Sequence, residues 1–358
     1  MTWKCRASPA WCRAGVGLAG VLLTAALLGG CDVSAEVLAS VTPAPAQLLA
    51  PAAPAEVGSD RVTLLRSGAP TFAALRALID GAHTSVHVEV YEFGQASLAE
   101  ALVAAHRRGV AVTVIDDPSE LASAVTAVRL REAGVDVVDY PVRKEMIDHV
   151  KLLVVDGDVA AVGGINWGVR SPANHDYDAL VRGPVVANLD RVFLRDLVTC
   201  GRPVSVPDAV VDPAIVVAAT LPGTEIRPLA LALIDGARVS IDLELFVLTD
   251  TGIVHALEAA RARGVAVHAL LDPSQPSSDP SFQALRAAGV AVRLYRSHGE
   301  LLHAKAIVVD AREILFGSAN WSGGGFARNH ELDIEIGDSP SIGAAMLAQM
   351  RLNWQASS

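Results

Sequence analysis

HAKAIVVDAREILFGSAN, residues His303–Asn320, sets a histidine, a lysine two positions on, an aspartate five further and a Gly-Ser-x-Asn tail in one run. Asp148–Asn166, DHVKLLVVDGDVAAVGGIN, says nearly the same thing. Side chains alternate faces along a strand, so His149 and Lys151 point the same way, and so do His303 and Lys305. The apolar residues that follow, Leu152–Val155 and Ala306–Val309, suit a buried strand. An imidazole and an ammonium on one face of such a strand need an anionic ligand, and a tetrahedral phosphate suits the pair. One His-x-Lys is ordinary; the full spacing at two equivalent places is not chance.

The motif sits in a longer repeat. ALIDGAHTSVHVEVYEF (Ala77–Phe93) matches ALIDGARVSIDLELFVL (Ala232–Leu248), and AHRRGVAVTVIDDP (Ala105–Pro118) matches ARARGVAVHALLDP (Ala260–Pro273). Such self-similarity predicts two copies of one supersecondary unit. In the first copy Phe72, Leu75, Leu78 and Ile79 recur at helical spacing, and Val86–Tyr91 alternates as a strand. Leu98–Arg108 is a helix stopped by Gly109, and Val110–Ile115 is a buried strand. Strands alternating with helices predict an α/β fold: two tandem lobes, each a mostly parallel or mixed sheet flanked by helices. Residues 59–203 form the first lobe, 204–222 a proline-bearing linker, and 223–358 the second lobe. Tyr91 and Phe246 end matching strands and are expected in the core.

The doubled pattern H-x-K-x4-D-x6-G-[GS]-x-N resembles the paired HKD motifs of the phospholipase D superfamily, and the resemblance runs from Ser59 to the C-terminus. His303, Lys305, Asp310, Gly317, Ser318 and Asn320 meet the pattern at each position. The first copy departs once: Gly164 stands where serine is usual, and Gly-Gly-x-Asn also resembles the first motif of cardiolipin synthases. The resemblance implies a pseudo-twofold pair of lobes with one active site between them, and phosphodiester chemistry without metal or cofactor. One histidine attacks phosphorus and becomes a phosphohistidine; the other protonates the leaving alcohol. The family favours His149 as nucleophile and His303 as acid and base, a choice the residues themselves leave open. Lys151, Lys305, Asn166 and Asn320 would clamp the phosphoryl oxygens, with Gly164 and Ser318 facing the substrate. An acid downstream orients each imidazole in the family, so Asp176 is assigned to His149 and Glu331 to His303. Asp156 and Asp310 come at strand ends and are expected as structural partners, since a further anion would repel a phosphate. Trp167 and Trp321 either wall the substrate cleft or pack between the lobes. His175 and His330 are expected to support the neighbouring acids. No ligand set with zinc-like spacing appears.

Lys4, Arg6 and Arg13 precede an uncharged run from Ala14 to Gly30. This predicts a secretory leader over residues 1–30. Leu28–Cys31 resembles a bacterial lipobox, which makes Cys31 the lipidated first residue of the mature chain. Residues 31–58, rich in Ala and Pro, read as a tether. The expectation is an exported lipoprotein held at a bacterial membrane. Cys5 and Cys12 leave with the leader, so Cys200 stands alone without a disulfide partner. A net charge of −10 argues against nucleic acid as a partner. The expected partner is phospholipid, and the expected reaction is phospholipase D-type removal of its head group. A cardiolipin synthase-like phosphatidyltransferase, an exported nuclease and a non-catalytic phospholipid binder are the alternatives. Two fused copies make a homodimer unnecessary, so a monomer is expected.

Overall fold

The computed structural model describes residues 51–357 except 67, 212–213, 222 and 297–299. The expected leader, Cys31 and most of the tether lie outside the described residues. The first lobe runs β1 (Ala55–Val57), β2 (Asp60–Leu65), α1 (Gly68–Asp80), β3 (Ser85–Val90), α2 (Ala96–Arg107), β4 (Ala111–Asp116), α3 (Leu121–Glu132), β5 (Asp136–Asp139), β6 (Lys151–Val155), β7 (Val159–Gly163), β8 (Asp178–Arg182) and α4 (Val185–Thr199). The second repeats the plan with β9 (Ile215–Ala219), α5 (Ile226–Gly236), β10 (Ser240–Leu245), α6 (Thr251–Ala262), β11 (Ala266–Leu271), α7 (Asp279–Ala287), β12 (Ala291–Leu294), β13 (Lys305–Val309), β14 (Glu313–Gly317), α8 (Gly323–Ala327), β15 (Leu332–Ile336) and α9 (Pro340–Ala356).

The sheets are mixed. Their orders are β1-β2-β8-β7-β6-β3-β4-β5 and β12-β11-β10-β13-β14-β15-β9. Helical crossovers make β3, β4 and β5 parallel, and likewise β10, β11 and β12. The strand that follows each histidine pairs antiparallel with β3 or β10, so it lies in mid-sheet, buried on both faces. Alternation on β3 and the α1 spacing thus correspond to real elements. Gly109 ends α2 at φ 93°, a conformation glycine takes without strain.

Apolar side chains form three clusters. One backs the first sheet against α1 and α2 through Ile79, Leu98, Val114 and Leu153. Its counterpart backs the second sheet through Ile234, Leu257, Ala269 and Ile307. The third is shared: Leu64, Leu152, Val181 and Phe193 of the first lobe pack with Leu270, Leu302, Phe316, Ile334 and Met346 of the second. Helices α4 and α9 supply this middle layer. The two lobes therefore have one continuous core between their sheets.

Two expected boundaries are corrected. The linker over 204–222 contains β9, which pairs with β15 over five residues and closes the second sheet. Its run IVVAA is β-branched but short, and the surrounding prolines hide it. The tether over 31–58 also ends too late. Ala52 N donates to Leu64 O at 2.8 Å, and β1 pairs with β2.

Candidate active site

His149 and His303 lie two residues before β6 and β13, in extended backbone that pairs with the opposite lobe. His149 N donates to His330 O (2.7 Å) and His330 N to Ile147 O (2.8 Å). In mirrored fashion, His303 N donates to His175 O (2.9 Å) and His175 N to Leu301 O (2.8 Å). At about 1 kcal/mol each, these four bonds fasten the lobes at the point where both histidines emerge. Two carboxylates hold the approach. Asp117 accepts from Asp148 N at 2.9 Å, and Asp272 from Leu302 N at 2.8 Å.

The acid partners are crossed, which corrects the expected assignment. His149 Nδ1 lies 2.8 Å from Glu331 Oε2, and His303 Nδ1 lies 2.7 Å from Asp176 Oδ2. Each acid follows its own motif in sequence, but its segment crosses to pair beside the other lobe's histidine. Sequence proximity suggested the wrong partner because the pairing is between lobes. An acceptor on Nδ1 leaves Nε2 to face the cleft. A second acceptor, Ser318 O, lies 3.1 Å from His149 Nδ1.

The Gly164/Ser318 difference now has a cause. Ser318 Oγ donates to Glu331 Oε2 at 2.6 Å and so steadies the acid behind His149. A Cβ at Gly164 would sit 2.3 Å from Asp176 Oδ1, so glycine is what lets Asp176 reach His303. Gly164→Ser is expected to push Asp176 off the ring and lower kcat about a hundredfold, whereas Ser318→Ala costs about tenfold. Steady-state kinetics of the two variants, with melting curves as a control, check this.

Both lysines serve both histidines. Lys151 and Lys305 are buried, and each acts electrostatically on His149 and on His303. Burial first, and then these ammonium groups, hold His149 well below its ordinary value. The same causes bring His303 down to about 4, against the pull of Asp176. Burial lowers Lys151 to about 7 and Lys305 to about 8, although Glu331 and Asp176 oppose it. Burial raises Glu331 to about 7 against Lys151, Ser318 and Asn329. The site is thus a pair of neutral imidazoles beside two cations that are costly to keep charged until an anion arrives. Asn166 and Asn320 each leave a buried amide oxygen without a partner among the described residues.

Tyr91 and Phe246 are not core residues as expected. They are half-buried and wall the site: Tyr91 meets the His149 ring edge-on at 5.1 Å, and Phe246 lies 4.9 Å from that of His303. The lysine ammonium groups stand 5.5 and 5.3 Å from the same two rings. Trp167 and Trp321 change places with them. They are 2% and 0% exposed, and each packs in the outer core of its own lobe, on Phe93 and Phe326. They neither wall the cleft nor join the lobes. Asp156 and Asp310 lie away from the site. Asp156 accepts the backbone N–H groups of His83, Thr84 and Ser85, which holds it down at about 2, and Asp310 those of Arg238, Val239 and Ser240.

Sequence reading passed over several residues that build the site. Asp178 and Asp333 sit beneath the lysines and accept from Ile165 N and Ala319 N. Their signal was present: each comes two residues after a site acid, in both copies. Glu89 and Glu244 occupy matching strand positions. Glu244 binds His175 (2.7 Å), Tyr177 (2.9 Å) and Asn353 (2.9 Å). In the other copy Glu89, Asp148 and Asp196 gather around His330, whose Nε2 is 2.9 Å from Asp196. Burial raises Asp148 to about 8 and Glu89 well above the carboxylate range, and Asp196 adds to both shifts. Cys200 lies beside it as a free thiol pushed up to about 12 by burial and those carboxylates. No helix among the described residues is long and apolar enough to cross a membrane.

The family described as cardiolipin synthase, PLD-like domain, matches residues 75–197 and again 230–352. A cardiolipin synthase of Geobacillus kaustophilus is 30% identical over 324 residues, 79% of this chain and 64% of that protein. Cardiolipin synthase A of Pseudomonas putida is 29% identical, over 78% of this chain and 65% of that one. The chain thus spans less than two thirds of the length of these relatives. Among solved structures, phosphatidylserine synthase of Haemophilus influenzae superposes with a TM-score of 0.63 at 16% identity, over 87% of this chain and 90% of that one. That likeness is one of fold. Both copies of the repeat meet the family's profile, each carrying its own histidine motif to the junction, and the chain belongs to the phospholipase D-like family of cardiolipin synthase domains.

Proposed function

We propose that this protein transfers a phosphatidyl group from one alcohol to another, in the manner of a cardiolipin synthase, through a phosphohistidine. The observation that carries this reading is the crossed pair of His–carboxylate couples around two shared lysines. It supplies one nucleophile and one acid for a single phosphorus. The relatives support transfer over the hydrolysis expected from sequence, because they are named as synthases of a phospholipid and not as hydrolases.

His149, its Nδ1–H donated to Glu331, presents the Nε2 lone pair to phosphorus. The P–O bond to the leaving alcohol breaks as the N–P bond forms, and His303 delivers a proton to that oxygen. The acceptor hydroxyl then loses its proton to His303 and attacks phosphorus, which frees His149. Lys151, Lys305, Asn166 and Asn320 bear the phosphoryl charge throughout. Water in place of the second alcohol gives hydrolysis by the same path.

The pH dependence follows from signs. Glu331 must be ionised to take the Nδ1 proton, so activity rises as pH passes about 7. Both lysines must be charged, so activity falls in two stages, as pH passes about 7 with Lys151 and about 8 with Lys305. The kcat/KM profile of the free enzyme is therefore a narrow bell, whose alkaline limb belongs to lysine. A flat profile from acid to alkaline pH overturns this account. The reaction itself is tested with phosphatidylglycerol vesicles. Cardiolipin with released glycerol is the expected product; phosphatidic acid alone identifies a hydrolase, and untouched lipid refutes both.

A further inference from the structure

The two copies of the repeat carry different chemistry at one matching place. Each lobe buries a glutamate, Glu89 on β3 or Glu244 on β10, against a histidine delivered by the other lobe. A tyrosine, Tyr140 or Tyr295, stacks on that imidazole in both. Around Glu244 the polar groups balance. His175, the Tyr177 hydroxyl and the Asn353 amide supply its two oxygens with donors. Around Glu89 both neutral donors are gone. Asp196 on α4 takes the place of Asn353: it lies 2.9 Å from His330 Nε2, as Asn353 Nδ2 lies 3.0 Å from His175 Nε2. Leu332 stands where the other copy has Tyr177, and Asp148 where it has Leu302.

Three carboxyl groups and one imidazole are thus packed together, none more than 4% exposed. Neither oxygen of Glu89 has a hydrogen-bond partner among the described residues, and Asp148 Oδ2 has none either. A buried carboxylate without donors is among the costliest groups a core can hold. The fold does not require this arrangement, because the second copy satisfies the same glutamate with neutral groups. Glu89, Asp196 and His330 each offer one donor atom, and these atoms lie within 4.8 Å of one another. His330 Nε2 is 2.9 Å from Asp196 and 3.8 Å from Glu89. Those distances bracket the spacing of about 3.4 Å between ligands of a tetrahedral zinc ion. One imidazole with carboxylate oxygens is a donor set that zinc accepts.

We propose that Glu89, Asp196 and His330 bind a divalent cation of the zinc type, with Asp148 as the fourth donor. The ion displaces the proton from His330 Nε2, and its charge offsets the carboxylates. Three of these groups belong to the first lobe and His330 to the second. The backbone of His330 bonds Ile147 and His149. The ion therefore braces the lobes on the His149 side of the junction and takes no part in the transfer itself.

The full chain, stripped with chelator, loaded with zinc sulfate and desalted, tests this through its metal content. Wild type should retain one zinc ion per chain. Glu89→Gln and Asp196→Asn, the latter copying the amide of Asn353, should each bind zinc about a hundredfold more weakly. Zinc should raise the melting temperature of wild type and leave that of both variants unmoved. Glu89→Gln should keep the metal-free melting temperature, because its carboxyl accepts no hydrogen bond, so the test stands even if Asp196→Asn fails to fold. X-ray absorption of the loaded wild type should show one imidazole among oxygen ligands. Wild type that retains no zinc, variants that retain it equally, or a zinc ion without imidazole overturns the proposal and leaves the cluster to protons.

Discussion

Alanine at His149 or at His303 is expected to lower turnover by about four orders of magnitude, because neither nucleophile nor acid has a substitute in the cleft. Both rings are almost enclosed, 5% and 6% exposed, and each spends its Nδ1 on a carboxylate of the other lobe. The losses should separate by step. With a substrate whose leaving alcohol needs no proton, His303→Ala should still form the phosphohistidine and then stall, whereas His149→Ala should form none. Rapid quench and intact-mass measurement distinguish the two. Folding should survive in both, since backbone bonds and not the imidazoles join the lobes, and melting curves would verify this. Appreciable turnover in either variant removes the two-histidine mechanism.

The lysines act on a different quantity. Lys151 and Lys305 are held down by burial to about 7 and about 8, so the empty site carries less charge than its composition suggests. A bound phosphate diester favours the charged form of both lysines and of an imidazole beside it, although the lysines oppose the latter. In the mechanism proposed, His303 carries that proton and His149 stays neutral. The histidine titration that a bare reading of two imidazoles suggests is replaced by one in which carboxylate and lysine bound the active range.

What was legible in the chain divides along a physical line. Strand and helix order, the doubled motif and the eight polar residues of the site are local patterns, repeated twice, and repetition separates them from accident. Tyr91 and Trp167 exchanged their expected places because an aromatic at a strand end and one after a loop carry the same local signal. Only the packing of α3 on Tyr91 O, and of Phe93 on the indole, decides which faces the cleft. The Glu89, Asp196 and His330 cluster joins segments more than a hundred residues apart and has no spacing to read. Strand β9 was hidden by its proline-rich surroundings, and its pairing with β15 is a tertiary fact. Each acid touches a histidine ring, but that of the other lobe, for the same reason: identity is local, and partnership across a lobe junction is not.

That crossed partnership makes the second large prediction. Glu331→Gln should impair His149 and Asp176→Asn should impair His303, each by about a thousandfold in kcat, because an amide can hold the wrong tautomer in place. Adjacency in sequence predicts the opposite assignment, so the two accounts diverge at the level of a single step. With an activated leaving alcohol, Glu331→Gln should abolish phosphohistidine formation. Asp176→Asn should allow formation and block breakdown, the behaviour of His303→Ala. Double substitutions sharpen the distinction: His149→Ala with Glu331→Gln should cost no more than His149→Ala alone, since both remove one unit. Nitrogen chemical shifts of the labelled imidazoles provide a readout independent of rate. The Nδ1 signal of His149 should move in Glu331→Gln and hold in Asp176→Asn, with His303 behaving inversely. If instead each ring responds to the acid of its own lobe, the lobes do not meet as described, and the shared lysine field that underlies the pH profile falls with them. If each responds to the other's, the junction is the catalytic unit, and a single lobe of this chain carries half of two histidine–acid couples and the whole of neither.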